Sequence, residues 1–136
     1  MAAKLNPYLQ FNGDARQALE FYRSVLGGDL ALNTYGQFGQ ADGPLADKIM
    51  HGNLTTQLGF TLMAADAPPD MTAQPGGNFS ISISGESGDA DTLRGYFIKL
   101  AEGGQVHVPL EKQMWGDEFG MCTDRFGINW MVDITG

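Results

Sequence analysis

The chain is poor in cysteine and in positive charge. Cys122 is its one cysteine, so no disulfide can form within the chain, which fits a reducing compartment. Lysine and arginine number 8 against 16 aspartate and glutamate residues, giving a net charge of −8. Such a surface repels a phosphate backbone and anionic lipid, so we expect neither nucleic acid nor a membrane as a partner. No apolar run is as long as a membrane span, and residues 1–7 contain no apolar signal region, so we expect a soluble, cytoplasmic protein.

The composition is that of one folded domain. The 136 residues are 43% hydrophobic and 18% charged, which excludes a disordered chain and two large domains. A chain of this length can bury roughly two thirds of its unfolded surface, so it needs neither a disulfide nor a metal to fold. The 19 glycines indicate many tight turns between short strands.

The sequence repeats itself. Residues 54–63 (LTTQLGFTLM) align with residues 122–131 (CTDRFGINWM), with threonine, glycine and methionine at matching places. Each copy reads as strand, glycine turn and strand, which predicts a hairpin. Coincidence between two unrelated hairpins is the alternative, and a second match argues against it. That match aligns residues 6–11 with residues 78–83, and both segments alternate apolar and polar positions as a half-buried strand does.

A helix is expected in each half, between the opening strand and the hairpin. The first spans residues 14–26, with Asp14 as its N-cap and Gln17 completing a capping box, and the second spans about 89–102. Each carries an apolar stripe at helical spacing and is followed by a glycine pair that can end it. The expected stripe of the first helix is Ala15, Ala18, Leu19, Tyr22, Val25 and Leu26.

Each half therefore reads strand, helix and three strands, which predicts an α+β fold made of two βαβββ modules. A segment rich in proline and glycine separates the halves. Within a single domain of residues 1–136, we place module one at about 1–66, the linker at 67–77 and module two at about 78–136.

Several motifs carry a resemblance to a known superfamily. The sequence identifies this chain as similar to the vicinal-oxygen-chelate superfamily, which includes glyoxalase I, bleomycin-resistance proteins and extradiol dioxygenases. The tryptophan-glycine segment and the Asp-x-Phe-Gly-x-x-Trp ending resemble its PhnB-like branch in particular. The resemblance covers nearly the whole chain and implies two modules whose curved sheets form one cup, often in a homodimer. Its motifs are residues 6–13 (NPYLQFNG), 18–22 (ALEFY), 26–28 (LGG), 49–51 (IMH), 114–116 (MWG), 119–121 (FGM) and 124–131 (DRFGINWM).

Strand parity separates the core from the lining of that cup, because alternate side chains of a strand point to opposite faces. The helix-facing set of the opening strands is Leu9, Phe11, Phe79, Ile81 and Ile83, and that of the closing strands is Phe60, Leu62, Ile128, Trp130 and Val132. Trp115 lies in a segment that resembles the loop over the cup mouth, where it could stack with Phe119 on a planar ligand or pack in a dimer. The candidate ligand-binding residues are Tyr8, Gln10, His51, Asn53, Met63, Asn78, Ser80, Trp115, Phe119, Met121 and Met131.

The expected metal positions carry uncharged side chains. Metal-using members of the superfamily take histidine and glutamate ligands from the opening and closing strands of each half. The resemblance places those positions at Asn6, Met63, Asn78 and Met131. Amides and thioethers supply no charge to offset the dehydration of a divalent ion. We therefore expect no metal site and no cofactor. A divalent centre using His51, Glu118 or Asp133 is the alternative.

His51 and Glu118 are the candidate catalytic residues. A hydrogen-bonded lining histidine is the plainer interpretation of His51, because a lone histidine is seldom catalytic without an orienting partner. Acidic residues such as Glu118 are, on so acidic a chain, more often solvated surface. We expect Cys122 to be buried and inert, and Asp124 to stabilise the turn that follows it.

The leading function is the binding of a small organic molecule in a metal-free cup, by aromatic, thioether and amide contacts, as in a drug-binding protein. An enzyme is the second hypothesis: a lyase, isomerase or dioxygenase relative that uses His51 with Glu118 or a metal held elsewhere. A metabolite-binding module with a regulatory or scaffold role is the third. Some proteins of the PhnB-like branch are labelled methyltransferases, an activity that would need a glycine-rich loop between a strand and a helix. Residues 36–40 precede no convincing helix, so we do not expect it and interpret residues 36–46 as a loop that could act as a lid.

Overall fold

Two units of like topology make up the chain. The computed structural model describes residues 3–39, 43–68, 71–74, 76 and 78–136. The units are Met1–Gln74 and Pro75–Gly136, and their boundary falls within the predicted linker. Residues 69, 70, 75 and 77 of that linker, and residues 40–42 of the predicted lid, lie outside the described residues. Within the described part, no helix is long and apolar enough to cross a membrane.

Each unit is a four-stranded mixed sheet with one helix. Unit one comprises β1 (Tyr8–Phe11), α1 (Ala15–Leu26), β2 (Asp29–Thr34), β3 (Ile49–Thr55) and β4 (Thr61–Asp66), in the sheet order β1-β4-β3-β2. Unit two comprises β5 (Ile81–Gly85), α2 (Ala90–Ala101), β6 (Gln105–Lys112), β7 (Glu118–Thr123) and β8 (Asn129–Ile134), in the order β5-β8-β7-β6. The opening strand of each unit is parallel to its closing strand, and the other pairs are antiparallel. The predicted α+β fold of two βαβββ modules is confirmed.

The first helix has the predicted face but not the predicted cap. All six residues of its expected apolar stripe are buried. The side chain of Asp14 makes no capping hydrogen bond, so the capping box with Gln17 is wrong. The carboxylate of Asp66, at the end of β4, instead accepts a hydrogen bond from the Ala15 amide at 3.0 Å. A carboxylate from a neighbouring strand thus does the work expected of a local cap, because it satisfies an amide that the helix leaves free.

Each helix is followed within three residues by a glycine that lies against backbone. A Cβ on Gly28, whose φ is +104°, would lie 1.9 Å from the carbonyl oxygen of Thr55. A Cβ on Gly104 would lie 2.0 Å from the carbonyl oxygen of Thr123. Both positions need glycine because the chain leaving each helix passes directly over a strand end.

The core lies between each helix and its sheet, and it includes most of the predicted residues. Leu9, Ile83, Leu62, Trp130 and Val132 are buried. Two predictions are wrong: Phe60 is 38% exposed and Phe79 is 63% exposed. Each lies just before a strand rather than within it, and parity decides a side chain's face only where the strand is paired. Ile128, which also precedes its strand, is half-buried.

The predicted hairpins align as expected, and the opening strands do not. Met63 pairs with Asn53, and Met131 pairs with Met121, at matching places of the two units. Tyr8 pairs with Met63 and Ser82 pairs with Met131, so the counterpart of Tyr8 is Ser82 and not Ser80. The counterpart of Asn6 is then Ser80 rather than Asn78. A shift of two residues keeps every side chain on its face, so the alternation in the sequence could not detect it.

The hairpin turns are held by the side chains that open them. In unit two the Asp124 carboxylate accepts hydrogen bonds from the amides of Phe126 at 2.8 Å and Ile128 at 3.0 Å, which confirms its predicted role. In unit one the hydroxyl of Thr56 accepts from the Phe60 amide at 2.9 Å. The two turns use different side chains to satisfy the same kind of backbone donor.

Candidate functional site

The face of each sheet opposite its helix, here called the open face, carries the predicted binding residues. In unit one, Tyr8 pairs with Met63, which pairs with Asn53, so these side chains form a row across β1, β4 and β3. Gln10 lies two residues after Tyr8 on β1, and His51 lies two residues before Asn53 on β3, so both side chains point to the same face. The structure therefore brings five predicted residues of unit one together.

Tyr8 and His51 contact each other on this face. The Tyr8 Oη atom lies 3.4 Å from the His51 Nδ1 atom, and the ring centroids are 5.9 Å apart. Which atom donates depends on the imidazole tautomer. Tyr8 is 48% exposed, so the pair is open to a ligand. His51 has an orienting partner after all, and sequence reasoning missed it because the two residues belong to strands separated by β4.

Tyr35 and Asp66 are hydrogen-bonded to each other at the end of β4. The Tyr35 hydroxyl donates to the Asp66 carbonyl oxygen at 2.7 Å. Burial, then the charge of Asp66 and the nearness of Tyr8, raise the pKa of Tyr35 above its ordinary value. The Asp66 carboxylate accepts from the amides of Gly13 at 2.9 Å, Ala15 at 3.0 Å and Ile49 at 2.9 Å. From the sequence, Asp66 was placed only at the end of module one, with no role. Its position directly after an apolar strand was the signal that could have indicated a buried, hydrogen-bonded carboxylate.

The open face of unit two is aromatic and thioether-rich. Ser82 pairs with Met131, which pairs with Met121, and Phe119 lies two residues before Met121 on the same face. The rings of Trp115 and Phe119 have centroids 6.1 Å apart, and Trp115 is 61% exposed. Four predicted residues thus lie together in unit two, with a tryptophan available for stacking.

Two carboxyl groups meet at the edge of that face. Burial, a hydrogen bond to Asp117 and the negative charge of Asp117 raise the pKa of Asp133 above its ordinary value. The Asp117 carboxylate also accepts from the Gly136 amide at 3.2 Å. The two carboxyl groups therefore disfavour each other's charge at this edge of the face.

Asn78 and Ser80 lie before β5 rather than in it. Asn78 is exposed and Ser80 is half-buried, and the expected place of both in the lining stays a prediction. The Asn129 amide donates to the carbonyl oxygens of Gly76 at 3.3 Å and Phe79 at 3.4 Å, and this holds the segment in place. The Thr123 hydroxyl donates its proton to the Asn129 side-chain oxygen at 2.7 Å. His107 Nε2 lies 2.7 Å from the same hydroxyl oxygen, so it must carry a proton and donate to that oxygen.

Glu118 faces the helix rather than the open face. It has the parity of Gly120 and Cys122, both buried against α2, and its carboxylate accepts from Arg94 Nε at 3.0 Å and also from Arg94 Nη2. These hydrogen bonds lower the pKa of Glu118. A carboxylate held ionised by arginine is a poor general acid, so this placement speaks against a catalytic role for Glu118.

Cys122 is buried, as predicted. Burial, with the charge of Asp124 as a second cause, raises the pKa of its thiol to about 11. The thiolate is the reactive form, so this cysteine is inert in the folded protein.

The row of Tyr8, Met63 and Asn53 does not suit a divalent ion, and His51 is the imidazole that the same face adds to it. Tyr8, Asn53 and Met63 offer a phenol, an amide and a thioether, which are neutral or soft ligands. In the ranges that the structure describes, no three histidine, cysteine, aspartate or glutamate side chains stand close enough together to hold a metal ion. The lack of a metal site stays a prediction, which the donor set supports.

Comparison with known proteins agrees with the fold. The family model of the Glyoxalase/Bleomycin resistance protein/Dioxygenase superfamily matches residues 4–132. Protein PA1353 from Pseudomonas aeruginosa has a solved structure that is 38% identical, covers 98% of each chain and superposes with a TM-score of 0.86. A PhnB protein from Bacillus cereus is 24% identical, with a TM-score of 0.74 over 98% of this chain and 100% of that one, and shows the same fold. Protein YjdN of Escherichia coli is 27% identical over 96% of this chain and 94% of its own length.

Proposed function

The chain belongs to the Glyoxalase/Bleomycin resistance protein/Dioxygenase superfamily, and we propose that it binds a small organic molecule on its open faces without a metal ion. The observation that carries the proposal is the row of Tyr8, Met63 and Asn53 across three strands of unit one. An aromatic ring, a thioether and an amide side by side provide apolar contact with a few directional hydrogen bonds, which is the composition of small-molecule sites.

The closing strands support the metal-free part of the proposal. The resemblance assigns a metal ligand to each closing strand, and these positions carry Met63 and Met131. In the opening strand of unit two, the corrected register replaces Asn78 with Ser80 as the counterpart of Asn6, and a neutral hydroxyl is no better a ligand for Zn²⁺ or Ni²⁺ than an amide. Each metal position therefore carries an uncharged side chain under either alignment.

Binding of a planar probe to chelator-treated protein tests the proposal. We expect 2-methoxynaphthalene to bind wild type equally well with and without added Zn²⁺, Ni²⁺, Fe²⁺ or Mn²⁺, as measured by equilibrium dialysis. Met63→Asp should weaken binding at least tenfold, because it places a charge where the probe contacts a thioether. Met71→Asp is the matched control, since Met71 is an exposed methionine of the same unit outside the sheet, and it should leave binding unchanged.

The proposal fails if one equivalent of metal is held tightly and its removal abolishes binding of the probe. It also fails if the probe does not bind at all, or if Met63→Asp and Met71→Asp behave alike.

An enzyme is the second candidate, because Tyr8 gives His51 the orienting partner that a catalytic base needs. Such a base would remove a proton from carbon next to a ketone and return one from solvent. We would detect this as deuterium entering that carbon in D₂O, followed by NMR, and His51→Phe should abolish it. A protein that only binds would show no exchange above the uncatalysed rate.

The remaining expectations stay proposals with indirect support. The net charge of −8 supports a small-molecule partner over nucleic acid or a membrane surface. The single cysteine supports a cytoplasmic location. Exposed Trp115 and Met114 support a homodimer, which sedimentation analysis of the purified protein would test.

A further inference from the structure

We propose that the Tyr8–His51 pair recognises a weakly acidic hydroxyl group, a phenol or an enol, on the bound molecule. This rests on the proposed function and names the chemical class that the open face of unit one selects. The pair consists of a phenol oxygen and an imidazole nitrogen 3.4 Å apart on a half-exposed tyrosine. Three observations point to it: the fold does not need the pair, its chemistry suits a hydroxyl, and the surrounding strands lack the charge that an anion requires.

Unit two shows that the fold does not need the pair. Its strands have the same order and the same registers in the closing hairpin, yet Ser82 stands at the position of Tyr8 and Phe119 at that of His51. Neither replacement can form a phenol–imidazole hydrogen bond. Because the same sheet forms without the contact, its presence in unit one calls for a reason other than stability.

The chemistry of the pair is complementary to a hydroxyl. If the Tyr8 hydroxyl donates to Nδ1 of His51, the Nε2–H group becomes a second donor and the phenol oxygen keeps its lone pairs. If Nδ1–H donates instead, Tyr8 offers its own O–H and Nε2 becomes an acceptor. In either tautomer the pair presents one donor and one acceptor, and a ligand hydroxyl both donates and accepts. An ether oxygen only accepts, so it satisfies half of what the pair offers.

The charge of the surrounding strands argues against a full anion. Strands β1 to β4 contain no lysine or arginine. Lys48, next to β3, has its ammonium group 3.1 Å from the Gly13 carbonyl oxygen, to which it donates. A phosphate or carboxylate on this face would meet no free cation on a strand, on a chain of net charge −8. A phenol or enol is neutral near pH 7, and its planar group can lie against Tyr8 and the Met63 thioether.

The test compares 2-naphthol with its ether, 2-methoxynaphthalene, in which a methyl group replaces the hydroxyl proton. Wild-type protein should bind 2-naphthol about tenfold more tightly, the factor expected from one satisfied hydrogen bond and one avoided desolvated group. Tyr8→Phe and His51→Phe should each reduce this preference to about twofold or less, while binding the ether within about threefold of wild type. His51→Phe copies the residue that unit two carries, so the sheet tolerates it.

Matched controls come from the same chain. Tyr96→Phe removes a half-buried phenol from α2, and His107→Phe removes an exposed imidazole from β6. Both should keep the tenfold preference for 2-naphthol. Melting temperatures of all four variants establish that they are folded.

The outcomes separate this inference from the function on which it rests. Equal affinity of wild type for both probes overturns the inference and leaves small-molecule binding intact. Retention of the preference in Tyr8→Phe and His51→Phe likewise overturns it, because the hydroxyl is then recognised elsewhere. Failure of both probes to bind overturns the inference together with the proposed function.

Discussion

Asp66→Asn should destabilise unit one strongly although it hardly changes the shape of the side chain. The Asp66 side chain is almost completely buried, with 2% of the residue exposed, and its carboxylate accepts three backbone hydrogen bonds. Two reach the segment that starts α1, and one reaches the first residue of β3. The carboxylate therefore joins the end of β4 to the start of α1 and to the start of β3.

The magnitude follows from which donors water can reach. In Asp66→Asn, the side-chain oxygen can stay with Gly13 and Ala15, and the new amide group then faces the buried Ile49 N–H, where two donors oppose each other. Losing one bond to a charged group and leaving one buried donor unsatisfied costs about 2–4 kcal/mol. Asp66→Ala frees all three amides. Gly13 is partly exposed and can bind water, whereas Ala15 and Ile49 cannot, so we expect about 3–5 kcal/mol.

Urea denaturation followed by circular dichroism measures these changes. The matched control is Asp14→Ala, which removes the side chain that local sequence rules favour as the cap but that makes no capping bond. It should change the free energy of unfolding by no more than about 0.5 kcal/mol. Equal effects of Asp14→Ala and Asp66→Ala would refute this assignment of the cap. So would an Asp66→Asn protein within about 0.5 kcal/mol of wild type.

Three further predictions concern other parts of the fold. Cys122, whose pKa is raised from 9.0 to about 11, should react with a thiol reagent only after unfolding, and rapid labelling of the folded protein at neutral pH would contradict this. The free energy of unfolding should fall as pH rises from 9.0 to about 11, because only the thiol of the unfolded chain ionises between these values. Asp133→Asn should raise the melting temperature at neutral pH, because it removes a carboxylate that is disfavoured by burial and by Asp117. The gain should vanish below the ordinary pKa of 3.8, where Asp133 is protonated in the folded and the unfolded protein alike, and a gain that grows in acid would refute this reasoning. Gly104→Ala should lower the free energy of unfolding by at least about 3 kcal/mol, because the new Cβ would lie 2.0 Å from a backbone oxygen. Gly95→Ala in α2, where a Cβ meets nothing within 4 Å, should raise it by about 0.5–1 kcal/mol. Denaturation curves of the two variants measure these opposite changes.

The elements of the fold were predictable because hydrophobic periodicity determines them. The stripe of α1 and the alternation of β4 and β8 each bury one face, and the structure buries those faces. The pairing of the opening strands was not predictable. Residues 6–11 and 78–83 both alternate apolar and polar positions, so an alignment of one with the other fits equally well after a shift of two residues. Backbone pairing with β4 and β8 decides which alignment is right. The cap of α1 escaped prediction because its partner, Asp66, comes from a distant strand.

The candidate site was predictable as a set of faces and not as contacts. Parity placed Tyr8 and His51 on the same face, while their contact depends on how β4 separates β1 from β3. Glu118 is different, because the signal was present in the sequence. Cys122 was expected in the core, and residues 118 and 122 of one strand point the same way. Consistent use of parity would have placed Glu118 against the helix, where Arg94 holds it.

The two units show which changes a βαβββ core accepts and which changes need another explanation. Leu54 pairs with Leu62 in unit one, and Cys122 pairs with Trp130 at the same place in unit two. A large residue beside a small one fills the space of two leucines, which preserves packing. The buried indole needs a hydrogen-bond acceptor, and Asp124 supplies one at 2.8 Å from the Trp130 Nε1 atom.

The core differences are therefore coupled by volume and by hydrogen bonding. The differences on the open faces, Tyr8 against Ser82 and His51 against Phe119, satisfy neither constraint. The larger ring of Phe119 makes up only part of the volume lost from Tyr8 to Ser82, and neither difference leaves a buried donor that must be paired. Packing explains why the cores diverged together, and it leaves the open faces to be explained by what each of them contacts.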